Sequence, residues 1–307
     1  MKKFVSLVVL TFLAVSVFAQ NISDFDIQGN DDGTMTILNY KGDTKTIVIP
    51  DKIFNMSVTH LVDGAFKGKG LTSVVIPNTV TFIGNDVFRE NQLTSVTIPD
   101  SVIYIGNSAF YRNQLASVTI PNSVEYIGTN AFSRNRLATL TIPGRVITIG
   151  DDAFSGNAIT SITIPDSVTY IGSNAFKGNS LTNVVIGNGV VFIGYSAFAS
   201  GIYEYNNNNQ ITSIRLGNSI SYIGSEAFSG HRTSTIVIPD SVAYIGSKAF
   251  YPTNNRNSLT NITIGKYVMF GDNSALSNNG DFDAFYQNTR KRAGKYTFAN
   301  NSWTFTP

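Results

Sequence analysis

The chain has 307 residues, 22 Lys or Arg against 20 Asp or Glu, two His and no Cys. The lack of cysteine excludes disulfides, thiol nucleophiles, Cys-ligated metals and a lipid anchor on an N-terminal Cys. The near balance of charge argues against generic nucleic-acid binding.

Residues 1–19 open with Lys2 and Lys3, run apolar from Phe4 to Phe18 and end on Ala19. This pattern predicts a secretory signal cleaved between Ala19 and Gln20. The apolar run is short for a membrane span. Loss of Lys2 and Lys3 lowers the 22 basic residues to 20, so the mature chain is formally neutral. The expected destination is outside the cytoplasm: secreted, on the cell surface or in a periplasm. Residues 20–50 predict N-terminal capping strands. Residues 22–27 and 34–38 read as a hairpin turning at Asp31-Asp32-Gly33, and residues 46–49 as a further strand before Pro50.

Residues 51–289 are dominated by a repeat. Residues 93–114 read LTSVTIPDSVIYIGNSAFYRNQ, and residues 115–136 read LASVTIPNSVEYIGTNAFSRNR. Phe66, Phe88, Phe110, Phe132, Phe154, Phe176 and Phe198 recur every 22 residues; Phe228 follows after 30, Phe250 after 22 and Phe285 after 35. A period in this range predicts a solenoid of stacked units, about ten here, each unable to bury its apolar face alone. Counting slots from the leading Leu, slots 3–6 alternate polar and β-branched residues, which predicts a short strand with slots 4 and 6 inward. Proline at slot 7 stops it, having no N–H for a ladder. Slots 10 and 13 supply further inward Val and Ile. Glycine at slot 14 suits a turn with positive φ. The slot-18 Phe fills the space between units.

The string LTSVTIPDSVxYIGxxAFxxN resembles the BspA-like, or treponemal-type, leucine-rich repeat proteins over roughly residues 45–290. The resemblance implies a β-rich leucine-rich repeat arc with parallel strands. Members are mostly secreted or surface-exposed microbial proteins, several implicated in adhesion to host matrix proteins or other cells. The resemblance thus implies binding to a matrix or cell-surface protein and names no partner.

Two insertions interrupt the period, at residues 199–210 (ASGIYEYNNNNQ) and 271–283 (GDNSALSNNGDFD), and both are expected to bulge as surface loops. Residues 290–307 predict a closing hairpin, with Trp303 over the last unit.

No constellation for catalysis is evident. His60 and His231 lie in different units without neighbours at metal-ligand spacing. Gly187-Asn188-Gly189 lacks the third glycine of a phosphate loop. The Asp residues at 24, 26, 31 and 32 lack the closing Glu of a calcium loop. The expectation is no enzyme, no cofactor, no metal and no small-molecule substrate.

Three surfaces are candidates for binding. Slots 3 and 5 should line the concave face with Ser95, Thr97, Ser117, Thr119, Thr139, Thr141, Ser161 and Thr163, flanked by Val75, Val185, Arg215 and Val237. Slot 12 forms an aromatic column of Phe82, Tyr104, Tyr126, Tyr170, Phe192, Tyr222 and Tyr244, broken by Thr148. Aromatic rings serve as binding anchors, or they stack on one another. The first insertion offers Tyr203 and Tyr205. Arg290, Lys291, Arg292 and Lys295 are expected to be the only charge cluster. The reading is an adhesive interaction protein; the alternatives are an envelope or matrix component that self-associates, and an ice-binding Ser/Thr face that Val75, Val185 and Arg215 weigh against.

Overall fold

The computed structural model describes residues 21–201, 208–252, 259–271, 275–276, 282–300 and 302–307. The expected signal segment, the cleavage point at Ala19 and Gln20, and the pair Tyr203 and Tyr205 lie outside these residues.

Each 22-residue unit makes one turn of a β-solenoid. Short strands occupy slots 3–5 or 3–6, as in Ser95–Thr97, Ser117–Thr119 and Ser161–Ile164, with alternate residues inward. The inward residues of the strands are β-branched and buried or, at Val118 and Ile214, half-buried, and most outward ones are short and polar. These strands pair in parallel and in register, for example Ser117 with Ser95 and Ile162 with Val184. The sheet they make is interrupted. Thr46–Val48 pairs with Ser73–Val75, Ser95–Thr97 with Ser117–Thr119, and Ser161–Ile164 with Asn183–Ile186 and Ser213–Arg215, as separate sheets. Thr139 and Thr141, expected in a strand, lie in none. Leu140 between them replaces the Val or Ile of the other units; it is half-buried, and Leu lacks the branched Cβ that suits a pleated surface.

The continuous ladder runs elsewhere. Two-residue strands at slots 12 and 13, such as Tyr104–Ile105, Tyr126–Ile127 and Thr148–Ile149, pair in parallel from unit to unit within a thirteen-stranded sheet. This ladder was not expected from two-residue segments that offer no alternation to read. It extends to slot 14, where the Gly128 N–H donates to Ile105 O at 2.9 Å and the Gly150 N–H to Ile127 O at 2.8 Å.

That contact corrects the reading of the slot-14 glycines. None of Gly84, Gly106, Gly128, Gly150, Gly172, Gly194, Gly224 and Gly246 is among the glycines with positive φ. They are needed because the turns approach closely. A Cβ on Gly128 would lie 2.6 Å from the carbonyl carbon of Gly106, and one on Gly150 2.6 Å from Thr129 N. The left-handed conformation falls two residues later, at slot 16. Asp86, Ser108, Asn130, Asp152, Asn174, Ser196, Glu226 and Lys248 all have φ between 51° and 58°.

The slot-18 phenylalanines form a fully buried column. Phe88–Phe110, Phe110–Phe132 and Phe132–Phe154 stack with centroids 5.3, 5.2 and 5.4 Å apart. Tyr40 extends the column at one end, 5.8 Å from Phe66. At the other end Phe250 N donates to Ala275 O, as each column Phe does to the slot-17 residue of the next unit (Val87 for Phe66, Ala for the others), so the following slot belongs to Leu276. Phe285 therefore does not continue the column. It lies on a helix, Phe282–Asn288, that was not expected. Nor is the second insertion all surface, since Ala275, Leu276 and Phe282 are buried.

A second interior column is polar. Asn135 Nδ2 donates to Phe110 O at 2.9 Å and Phe132 O at 3.0 Å, while its Oδ1 accepts from Leu115 N at 3.0 Å. Asn113, Asn157 and Asn179 repeat the arrangement. Asn209, expected in a surface loop, is buried and takes the same place with Phe176 O, Phe198 O and Leu181 N. The amide satisfies turn carbonyls that the ladders leave over, as buried polar groups require.

Both ends carry an antiparallel hairpin. Phe25–Gly29 pairs with Met35–Tyr40, which continues in parallel onto Met56–Leu61. Gly294–Ala299 pairs with Asn261–Ile264 and with Ser302–Thr306. Trp303 is buried 4.8 Å from Phe282, so the helix lies beneath the hairpin.

Candidate interaction surfaces

The strand face is built by alternation alone. With slots 4 and 6 turned inward, Ser95, Thr97, Ser117, Thr119, Thr139, Thr141, Ser161 and Thr163 all point outward and are exposed. Val75 and Val237, in slot 5, expose 52% and 58% of their area. Arg215 is the one charged residue among the slot-3 and slot-5 positions. Where the ladder is interrupted between Ser73–Val75 and Ser95–Thr97, a cavity of about 320 Å³ opens, lined by Ser73, Val75, Asn78, Ser95, Thr97 and Pro99 among others. The fold thus brings Ser95 and Thr97 to a recess, and the other candidates on this face are exposed along the same side of the stack.

The slot-12 aromatics form a half-buried wall. Phe82–Tyr104 and Tyr104–Tyr126 stack at 5.1 and 4.8 Å, and Tyr170–Phe192, Phe192–Tyr222 and Tyr222–Tyr244 at 5.0, 4.8 and 5.0 Å. Their planes are within 13° of parallel. The faces are spent on neighbours, so edges and hydroxyls are what reach solvent. Burial, then the neighbouring Tyr126 and Asp63, raise the pKa of the Tyr104 hydroxyl. Burial, then Asp151 and Tyr126, do the same at Tyr170. Both therefore remain neutral donors at physiological pH. His60 starts the column, its ring 5.6 Å from Phe82.

His231 occupies the place of the column asparagines. Its Nε2 lies 2.8 Å from Phe198 O, which fixes the proton on Nε2, and Nδ1 has no partner. Burial pushes its pKa down to about 4. Among the described residues no group of three His, Asp or Glu side chains is placed to hold a metal ion. No helix among them is long and apolar enough to cross a membrane.

Of the terminal basic group, Arg292 packs over the Phe305 ring at 4.9 Å. A second basic cluster contradicts the expectation that this group is the only one; it was missed because its members stand 22 or 23 residues apart in sequence. Arg89, Arg112 and Arg134 converge on Tyr111, with guanidinium carbons 5.1, 5.3 and 5.9 Å from the ring centroid. Reading slots 19 and 20 across units rather than along the chain would have found it.

The sequence pattern of the family described as "BspA type Leucine rich repeat region (6 copies)" matches residues 59–180, 147–265 and 171–304. The chain belongs to that family. Among solved structures, this BspA-type protein is similar to the leucine-rich repeat protein TpLRR of T. pallidum, with 24% identity over 68% of this chain and 87% of that one and a TM-score of 0.43. It is also similar to the pneumococcal vaccine antigen PcpA, with 20% identity, 80% of each chain covered and a TM-score of 0.44. A third is a leucine-rich repeat protein of Bacteroides ovatus, with 19% identity over 82% and 90% of the two chains and a TM-score of 0.38. No protein of curated function matches the chain.

Proposed function

We propose that this BspA-type protein is exported and acts outside the cell as a binder of other proteins, adhering to matrix or cell-surface partners through its Ser/Thr strand face. The observation that carries the reading is the recess between residues 73–76 and 95–99, set in an array of exposed, almost uncharged side chains. Hydroxyls of Ser and Thr exchange hydrogen bonds with water for bonds with a partner at low desolvation cost. The exposed Val75 and Val237 add apolar area to the contact. A neutral face draws its affinity from complementarity and area rather than from long-range attraction. Tyr203 and Tyr205 serve as a second anchor in this proposal.

The test uses the mature chain on a panel of immobilised extracellular-matrix proteins. Thr97→Arg with Thr119→Arg places bulk on the face, and Arg215 shows that the slot accommodates arginine. The expected result is binding by the wild type and at least tenfold weaker binding by the double variant at equal melting temperature. Equal binding by both moves the contact off this face, with Tyr203→Ala/Tyr205→Ala as the next variant. A wild-type chain that ignores every partner and self-assembles instead is an envelope component, and the adhesive reading falls.

A further inference from the structure

Slots 19–22 of four successive units, residues 67–70, 89–92, 111–114 and 133–136, hold Lys67, Lys69, Arg89, Arg112, Arg134 and Arg136 against Glu90 alone. The next two units, at residues 155–158 and 177–180, hold only Lys177. A chain whose formal net charge is only +2 thus gathers a surplus of five positive charges in these slots, or four once the adjoining Asp86 is counted, on one edge at one end. We propose that this edge binds a linear sulfated polysaccharide.

The array is organised rather than merely basic. The Phe column sets its step, with centroids 5.2 to 5.4 Å apart between units. Tyr111 stands in the middle, with three guanidinium groups around its ring. Two carboxylates tie the cations together. Asp86 meets Lys67 at 3.6 Å and Arg89 at 3.0 Å, and Glu90 meets Arg89 at 3.3 Å and Arg112 at 3.7 Å. All these pairs are at least partly open to solvent, so they hold the side chains in place weakly and yield to a stronger anion. Guanidinium forks match the oxygens of sulfate and carboxylate in pairs.

Spacing selects the partner. An extended acidic peptide repeats its same-face side chains every two residues, about 6.5–7 Å apart, out of step with one unit of this stack. A single-stranded nucleic acid needs bare aromatic faces for its bases, and the ring of Tyr111 is already flanked by arginines. A pyranose chain advances by close to one unit's spacing per sugar and can carry a sulfate on each. This proposal concerns slots 19–22, not the strand face, and stands or falls apart from it.

The test is titration of the full mature chain with heparin as the sulfated probe. Arg112→Gly with Arg134→Gly removes two cations and installs the residue that the same slot carries as Gly156 and Gly178, all four positions having positive φ. The control, Arg145→Gln with Arg215→Gln, removes the same charge elsewhere. The expected result is heparin binding that the glycine variant weakens at least tenfold, with the slope of log K against log salt reduced by about 1.5–2. The control stays within twofold, and chemically desulfated heparin binds at least tenfold more weakly. Equal heparin binding by wild type and glycine variant overturns the proposal. So does poly-glutamate or single-stranded DNA that binds as tightly as heparin, or a control variant that loses as much.

Discussion

At single positions the stack discriminates between residues that look equivalent in sequence. Gly128 and Gly144 are both glycines without a positive φ, yet a Cβ on Gly144 would meet nothing within 4 Å, and one on Gly128 would meet the backbone of the unit before. Gly128→Ala should therefore destabilise by roughly 3 kcal/mol, since backbone rather than a side chain must yield. Gly144→Ala should stabilise by about 0.4–1 kcal/mol, because it restricts only the unfolded chain. Urea melts of the two variants check this, and equal effects would contradict it. His231 gives a pH prediction. Its folded pKa is lowered from an ordinary 6.5 to about 4 by burial. On acidification the unfolded chain takes the proton first. The stability from neutral His231 is present above about pH 6.5 and drains away as pH falls towards 4, by roughly 3 kcal/mol in all. His231→Asn inserts the side chain that the column uses elsewhere, so its melting temperature should fall less between pH 7 and pH 4.5. Parallel pH profiles for wild type and variant would refute this assignment.

At the level of strands and turns, the pattern of inward residues was legible in the sequence, and the backbone that carries it was only partly so. Alternation in SVTIP gave the strands at slots 3–6, and the spacing of Phe gave the buried column. The two-residue ladder at slots 12 and 13 was hidden, because Tyr-Ile is too short to show a period. The slot-16 conformation was hidden as well. Asp, Ser, Asn, Glu and Lys all occupy it, so no residue type marks it. The column asparagines are plain in the repeat, but their buried role depends on carbonyls contributed by two turns. The helix Phe282–Asn288 was obscured by the expectation of one more Phe slot. Of the candidate surfaces, the outward slots could be read from alternation; the recess could not, since it arises where two strands fail to pair. Ile127 tests the ladder. It is fully buried beside Ile105 and Ile149, so Ile127→Asp should cost about 3–5 kcal/mol as an unpaired buried charge. A loss under about 0.5 kcal/mol would contradict the register. Deletion of residues 294–307 tests the end. Asn261–Ile264 would lose its antiparallel partner and Phe282 its cover. An open strand edge beside exposed aromatics promotes association, so light scattering should report larger species than the intact chain gives at the same concentration.

Across the whole molecule, interactions run between neighbouring turns and repeat with translation. Backbone bonds, the Phe column and the asparagine column each link a slot to the same or a fixed slot one unit away. Deletion of residues 115–136 removes one complete turn and leaves every remaining slot facing its equivalent. That shortened chain should keep its circular-dichroism spectrum and lose only part of its stability, as one term is taken from a nearest-neighbour sum. Deletion of residues 115–125 breaks the phase and should prevent cooperative folding. Similar melts for both would show that the turns are not interchangeable.

The direction of the ladder hydrogen bonds has a mechanical consequence. They point from turn to turn, along the axis of the stack, so a pull on its two ends loads them in series. Such a fibre yields like a zipper, one turn at a time, rather than by shearing as a block. Each 22-residue turn released lengthens the chain from a single stacked spacing of 5.2 Å to roughly 75 Å. Held at one end on a surface and at the other by a ligand, the protein would pay out slack under load while its remaining turns stayed folded.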